Sequence, residues 1–425
     1  MPVESANAGS EDRDQRLFYG WVIVGLSFLT QFLLTGLVFY SFSVFLTRFA
    51  EEFSGGDRAV VSAIPMTMSL MGMIASPIVG RLVGAGWIRS LMTAGTISTG
   101  IGFLLASRAT ELWQLFVIFG SFMTLGGATM SGVCASSIVV AWFERRRATA
   151  LGLSQLGASL GGMVLGPLAG YLVAAHGWRE TYLFFGLALL VAAPLVWWLA
   201  VGSPERKGLR PDGDEPHEAA DHPALAAEPT PPLSTREALG NRNLWLIAAV
   251  TGIGFMMSTA LITHIVSFAL DLGIDSAHGG WLLAAIAGGA AAGKLVFGWL
   301  SDRIGERSAF VVSFAAQALT LSLLLNVTAF SGLLATAFVL GVALGGSLPL
   351  STSLLARVFG REHFAPMMGL LMPMMMPIQM VGTPFAGWMR DRTGSYDLAF
   401  WIFVGCLLVG IVLLRMVRYE DEGAS

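Results

Sequence analysis

Apolar residues in this chain are gathered into runs, each about as long as a helix that crosses a bilayer. A crossing helix needs roughly 20 apolar residues, because each residue adds about 1.5 Å to a hydrocarbon layer about 30 Å thick. The twelve runs lie at roughly 18–44, 59–80, 90–107, 112–141, 148–175, 178–201, 243–270, 278–300, 308–329, 331–356, 364–389 and 396–417.

Composition excludes several classes of protein. Of the 425 residues, 55% are hydrophobic and only 12% are charged, about half the charged share of a soluble domain. A soluble enzyme, a disordered chain and a nucleic-acid-binding protein are therefore excluded, the last also because no long basic tract could follow phosphates. Cys134 and Cys406 lie in apolar runs without metal-ligand spacing. We expect no catalytic group, no metal and no cofactor.

Polar segments divide the chain. Residues 1–17 form a polar tail that lacks the order of a signal peptide, and 419–425 form a second tail. Residues 202–242 are rich in Pro, Glu, Asp and Ala, which predicts a flexible linker, with a short amphipathic helix before the seventh run. The linker separates two six-helix bundles at 18–201 and 243–418.

Basic residues predict the orientation. With both termini and the linker on one face, that face holds about 18 of the 25 Lys and Arg residues. Such a bias marks the cytoplasmic side, and it requires an even number of spans. We expect a monomeric, multi-pass protein of the cell inner membrane with both termini in the cytoplasm.

The chain also repeats itself at half its length. Pro167 and Gly170 recur as Pro384 and Gly387, 217 residues later, and Gly80 recurs 218 residues later as Gly298. An offset near half the chain predicts two parallel copies of one unit. The predicted fold class is an all-α membrane protein with twelve transmembrane helices in two parallel six-helix pseudo-repeats.

One loop carries a motif. It reads Gly298-Trp-Leu-Ser-Asp302-Arg303-Ile-Gly-Glu-Arg307, and it resembles the cytoplasmic signature G-x-L-x-D-R-x-G-R-[KR] of the major facilitator superfamily. The first-half copy has Gly84 in place of the acid. Finer features resemble the monocarboxylate porter and oxalate–formate antiporter branch; they are Tyr19-Gly20-Trp21, Trp142-Phe143, Gly177-Trp178-Arg179 and the run Asp391 to Tyr396.

The resemblance implies two halves that rock about a central site, with a gate on the cytoplasmic side. Asp302 can face the positive N-terminal end of a helix in the other half, or pair with arginines. We expect Asp302, Arg303, Arg307 and Arg147 to act as gating residues. The alternative is that they are solvated loop charges.

Lys294 is the candidate that carries substrate chemistry. It lies eight residues before Asp302, about 12 Å along a helix, so its charge is well inside the bilayer. A charge there is energetically unfavourable unless it faces a water-filled cavity or a polar partner. In the monocarboxylate branch a basic residue at this offset binds the substrate carboxylate. The alternative is a lysine that snorkels to the surface.

Four further residues are candidate substrate ligands. His264 could donate to an anion or carry a proton, or instead form a structural hydrogen bond. Tyr40 aligns with a lysine of animal monocarboxylate porters and either lines the site or packs. Gln155 and Gln379 either line the site or join helices.

Two absences bear on substrate and coupling. Met375 stands where oxalate–formate antiporters have a second lysine, which argues against a small dicarboxylate. Ala290 stands where animal porters have an acid, so the usual proton carrier is missing. Proton symport, exchange with a counter-anion and uniport without a coupling partner all stay open. The methionine-rich eleventh run offers a soft apolar wall.

The sequence therefore predicts a secondary active transporter for a small organic anion, expected to be a monocarboxylate, with the bilayer as its environment. One alternative is an efflux transporter for apolar drugs or metabolites. Another is a transporter-like sensor that signals through the linker, which looks too short and polar to form a folded module.

Overall fold

The computed structural model describes residues 18–53, 58–213, 235–274 and 276–419. The predicted first tail, the second tail after Tyr419 and the middle of the linker lie outside these ranges. Within these ranges the chain is helical. The α-helices are α1 Tyr19–Leu34, α2 Phe42–Phe53, α3 Arg58–Gly84, α4 Ile88–Ala106, α5 Leu112–Ile118, α6 Thr124–Met130, α7 Gly132–Trp142, α8 Arg147–His176, α9 Trp178–Leu199, α10 Thr235–Gly240, α11 Arg242–Asp271, α12 Ser276–Ile304, α13 Glu306–Leu324, α14 Phe330–Gly345, α15 Ser347–Thr393 and α16 Asp397–Met416. Short π-helical segments, Thr35–Tyr40 and Phe119–Met123, join α1 to α2 and α5 to α6.

The described helices account for twelve crossings. By length and composition, eleven segments could span a membrane, and one of them, Phe330–Thr393, is 64 residues long. That segment is broken at Gly360, whose φ of +69° is a left-handed conformation that glycine adopts readily. Each part is longer than the roughly 20 residues that a crossing needs. The predicted all-helical fold with two six-helix pseudo-repeats is confirmed, with α1–α9 in the N-half and α11–α16 in the C-half.

The two halves meet through paired glycines. We call the end of the bundle that carries residues 201–213 and α10 the linker side. There, a Cβ on Gly152 of α8 would collide with the backbone of Lys294 on α12, and a Cβ on Gly298 with the backbone of Ala148. The bare glycine surfaces thus let the backbones of α8 and α12 touch.

A second interface repeats this arrangement. A Cβ on Gly80 of α3 would meet the carbonyl of Ala365 on α15, and a Cβ on Gly369 would meet the carbonyl of Ser76. The two glycine pairs therefore join the halves at both edges of the linker side.

Apolar packing is continuous between the halves on the linker side. One buried cluster runs from residues such as Ile23 and Trp142 of the N-half to Phe364 of the C-half. At the opposite end, a cluster around Phe49 and Tyr182 contains N-half residues alone. The structure is thus closed on the linker side.

Ion pairs at the opposite end stay within one half. Glu52 accepts hydrogen bonds from Arg179 and Trp178, and the bond from Arg179 lowers the pKa of the Glu52 carboxyl. Asp271 pairs with Arg390 at 2.8 Å. These contacts hold each half together at its far end.

The first part of the predicted flexible linker is folded against the bundle, which corrects that prediction for residues 202–213. Asp212 accepts hydrogen bonds from the backbone amides of Glu144 and Arg145 at 2.9 and 2.8 Å. Glu205 forms a 2.8 Å ion pair with Arg361 of the C-half. The segment cannot fold alone, but the bundle supplies the partners that its polar groups need. The predicted short helix before the seventh span is α10.

Candidate functional site

Lys294 connects the two halves in the interior. From the middle of α12, its Nζ donates to the backbone carbonyl of Gln155 at 3.0 Å and to Oγ of Ser159 at 2.6 Å. Both acceptors lie on α8 and carry no charge. Among the residues that the structure describes, no carboxylate lies within 4.0 Å of this cation. Among the described residues, neutral oxygen atoms alone hold the ammonium.

Asp302 lies at the start of a helix in the other half. Its Oδ1 accepts from the backbone amide of Ala148 at 3.0 Å, and its Oδ2 accepts from that of Thr149 at 2.9 Å. These amides belong to the first turn of α8, whose N–H groups have no partner within the helix. The carboxylate thus satisfies two such donors and faces the positive end of the α8 dipole. The contact exists only while the linker side is closed.

Arg147 also faces the other half. It is buried at the start of α8, donates through Nε to the Phe143 carbonyl at 3.3 Å, and interacts with the charge of Glu306 on α13. The charges around this guanidinium are mixed: Glu306 of the C-half, Glu144 of the N-half and Asp212 of the linker attract it, and Arg357 of the C-half repels it.

The other two predicted gating residues make their main contacts within the C-half. The guanidinium of Arg303 lies 4.3 Å from the centre of the Trp299 ring, on its own helix. Arg307 donates to the carbonyl of Val417 and lies 4.4 Å from the Tyr419 ring. The contacts of Arg307 tie α13 to the residues that follow α16.

Tyr40 and Gln155 lie close to the Lys294 contact. The ring of Tyr40 occupies the space that a side chain at position 162 would need, one helical turn beyond Ser159 on α8. The buried Gln155 side chain donates through Nε2 to Oγ1 of Thr352 in the C-half at 3.3 Å. Its Oε1 has no partner among the described residues. The structure thus gives Gln155 a helix-joining contact and brings Tyr40, Gln155 and Lys294 onto one face of α8.

His264 has a structural environment. Its Nε2 lies 3.0 Å from the carbonyl of Thr383, and its Nδ1 lies 3.2 Å from the hydroxyl of Tyr396. A carbonyl only accepts, so Nε2 carries the proton, and in a neutral ring Nδ1 accepts from Tyr396. Both ring nitrogens therefore contact residues elsewhere in the C-half.

Gln379 is half-buried on the outer part of α15 and makes no hydrogen bond to any described residue. Met375 is buried on the same helix, on the side that packs against α11, where the backbone of Met375 and the side chain of Ile378 meet Gly252. The position of Met375 agrees with a packing role.

The sequence did not predict the contacts of Ser159 with Lys294 and of Glu205 with Arg361. A serine in an apolar helix is common, and nothing in the sequence shows that Ser159 faces Lys294. The opposite charges of Glu205 and Arg361 are visible, but they are 156 residues apart and one lies in a segment read as flexible.

A surface cavity of about 490 Å³ lies apart from these residues, on the linker side. Its lining combines aromatic and charged side chains: Phe18, Trp21, Phe143, Arg145, Arg146 and Asp212. None of the predicted substrate ligands lines it, so it is distinct from the site around Lys294.

Comparison with known proteins agrees with the architecture. A family model described as Major Facilitator Superfamily matches residues 28–277 and 255–425. The human protein named monocarboxylate transporter 11 is 27% identical over 416 residues, covering 92% of this chain and 81% of its own. Monocarboxylate transporter 13 of Bos taurus is 27% identical over 398 residues, covering 92% and 88%.

A solved structure shows the same fold. The Escherichia coli fucose:proton symporter FucP superposes with a TM-score of 0.71 at 15% identity, covering 95% of this chain and 100% of that chain. Three observations agree with one another. The chain has twelve crossings in two repeats, the Asp302 carboxylate binds the first turn of a helix in the other half, and the family model matches nearly the whole described chain. This chain belongs to the major facilitator superfamily.

Proposed function

We propose that this chain is a secondary active transporter that moves a small organic anion with one carboxylate across the inner membrane by alternating access. The observation that carries the proposal is the cation of Lys294, held in the interior by two neutral oxygens. A buried ammonium without a counter-charge is unfavourable, and an anionic substrate supplies that charge. Relatives named monocarboxylate transporters support a carboxylate as the anion.

The contacts on the linker side support the proposal of alternating access. Asp302 on the first turn of α8 and Glu205 with Arg361 hold the closed form, and each contact breaks when the halves rock apart. The site around Lys294 lies between the same two helices, α8 and α12. A substrate bound there therefore acts on the contact that must open.

The coupling partner is a proton or a counter-anion. No acid lies within 4.0 Å of Lys294 among the described residues, and Ala290 stands one turn before it. A symporter of this design would carry its proton on a group other than a neighbouring carboxylate.

Binding of labelled monocarboxylates to the purified chain tests the proposal. Lys294→Gln removes the charge and keeps hydrogen bonding, and we expect it to weaken anion binding at least tenfold. Lys294→Arg keeps the charge in another shape and should retain partial binding with altered selectivity. Lys207, the other lysine of the chain, stacks on Tyr19 on the linker side, so Lys207→Gln is the matched control.

Lys294→Leu separates a binding role from a structural one. Because an interior charge is unfavourable, its removal should leave the protein as stable as before, or more stable. Anion uptake into proteoliposomes should disappear. The proposal is wrong if this variant unfolds, or if it folds and still takes up organic anions.

A further inference from the structure

The two interfaces between the halves are equivalent by pseudo-symmetry, residue by residue. Gly152 of α8 corresponds to Gly369 of α15, 217 residues later, and both pack against the backbone of the other half. On the facing helices, Gly80 corresponds to Gly298, 218 residues later. By the same offset, Ser76 of α3 takes the place of Lys294 of α12.

This correspondence extends from the glycines into the site. Gln155 and Ser159 follow Gly152 by three and seven residues, so all three share one helix face. Met372 and Met376 follow Gly369 by the same three and seven residues. The structure shows both methionines half-buried. Where one interface has an ammonium and its oxygen acceptors, the equivalent place in the other has two thioethers.

The rest of α15 is accounted for by other contacts. Ile378 lies against Gly252 of α11, and Gly382 lies against Met256 of the same helix. At 100° per residue these positions are well separated from Met376 around the helix axis. Met372 and Met376 therefore continue the side of α15 that faces the N-half, as Gln155 and Ser159 continue the side of α8 that faces the C-half.

We infer that the site is polarised across the pseudo-symmetry axis, with the substrate carboxylate at Lys294 and its apolar body against Met372 and Met376. This inference rests on the proposed function and names the class of substrate: a monocarboxylate with an apolar chain. Methionine side chains are unbranched and polarisable, so they adapt to chains of different shape. A second carboxylate at the far end of the substrate would be buried against thioethers without a cation, which is strongly unfavourable.

Two ligand series test the inference on the purified full-length chain, by calorimetry or by competition with a labelled acid. The first runs through unbranched monocarboxylates from acetate to octanoate, and the second through dicarboxylates from succinate to suberate. We expect affinity in the first series to rise about threefold for each methylene, slightly less than full burial of a CH₂ would give. Each dicarboxylate should bind at least tenfold more weakly than the monocarboxylate of equal length.

Three matched serine variants locate the apolar wall. Met372→Ser and Met376→Ser should flatten the dependence on chain length, so that octanoate loses at least tenfold in affinity and acetate changes less than twofold. Met374→Ser is the control, because Met374 is half-buried on the same helix but points about 160° away from Met376. Met374→Ser should keep the full dependence of affinity on the chain length of the acid.

The outcomes separate this inference from the proposed function. If the unsubstituted chain binds these acids through Lys294 but shows no dependence on chain length, the inference is wrong and the proposed function stands. The inference is also wrong if dicarboxylates bind as tightly as monocarboxylates of equal length. It is likewise wrong if Met374→Ser flattens the dependence on chain length as Met372→Ser and Met376→Ser do. If no acid of either series binds, or if Lys294→Gln binds them as well as the unsubstituted chain, both are overturned. The measurements on the unsubstituted chain decide the matter even if a serine variant does not fold.

Discussion

The ammonium of Lys294 on α12 lies 2.6 Å from the hydroxyl of Ser159 on α8, so the interior cation of one half is held by the other half. A carboxylate that binds Lys294 competes for the same N–H donors. In the proposed function, substrate binding and the contact between the halves are therefore linked through the side chain of Lys294.

Ser159→Ala tests this competition. Without the hydroxyl, Lys294 retains the Gln155 carbonyl alone, so the empty form loses stabilisation that the substrate would otherwise have to replace. A hydrogen bond from a charged group contributes about 1.5–3 kcal/mol, and part of it should appear as anion binding about threefold to tenfold tighter. Ser154→Ala is the control, since that hydroxyl donates within its own helix to Leu151. Weaker anion binding by Ser159→Ala would show instead that the hydroxyl is itself a substrate ligand.

Asp302→Asn should shift the protein away from the form closed on the linker side. The substitution removes the charge that faces the α8 dipole and one of two acceptors for backbone amides. A loss of about 1 kcal/mol, typical of a helix cap, changes the ratio of closed to open forms about fivefold. Spin labels at positions 146 and 308, with Cys134 and Cys406 replaced, would report the distance across this face.

The control for the Asp302 experiment is Asp391→Asn, the same change near the far end of α15. It should leave the distance distribution on the linker side as it was. An unchanged distribution in Asp302→Asn as well, together with normal transport, would mean that the carboxylate does not hold the gate.

His264→Ala should lower stability and leave substrate affinity unchanged. Both ring nitrogens are engaged, one by Thr383 and one by Tyr396, and interhelical hydrogen bonds of this kind are worth about 0.6 kcal/mol on average. Tyr396→Phe removes one of the two bonds, so the double variant should be less destabilised than the sum of the singles. Thermal unfolding and anion titration of the three variants make the test, with His176→Ala at an exposed site as control. A loss of anion affinity in His264→Ala at unchanged stability would contradict this role.

Reporter fusions test the orientation. The excess of Lys and Arg on the linker side favours the cytoplasm for that face. Fusions after Arg210 and after Ser425 should both report a cytoplasmic location, and a fusion after Arg108, between α4 and α5, should report the opposite side. A periplasmic signal after Arg210 would reverse the orientation.

The spans were predictable because hydropathy and length are properties of each segment by itself. The repeat was predictable because it is visible as one offset between glycines and prolines. The loop motif offered two partners for Asp302, the start of a helix or nearby arginines, and the structure shows the first at Ala148 and Thr149. In each case the information lies in a short stretch of sequence or in its copy.

Contacts between distant helices were not predictable in this way. Ser159 is one of many hydroxyl residues in apolar helices, and only the packing of α8 on α12 distinguishes it. His264 finds its partners 119 and 132 residues away. The segment before Gly213 is too polar to fold by itself, and it is ordered through Asp212 and Glu205 because the bundle offers backbone amides and an arginine.

The four glycines Gly80, Gly152, Gly298 and Gly369 also determine how the closed face can separate. At these points backbone meets backbone, so no side chain has to leave a pocket or change its rotamer when the halves part. Interdigitated side chains would add a barrier of repacking to every cycle. Besides the apolar packing on this face, the contacts that must break are charged, namely Asp302 on α8 and Glu205 on Arg361. If the halves rock apart as proposed, we expect turnover to depend on ionic strength.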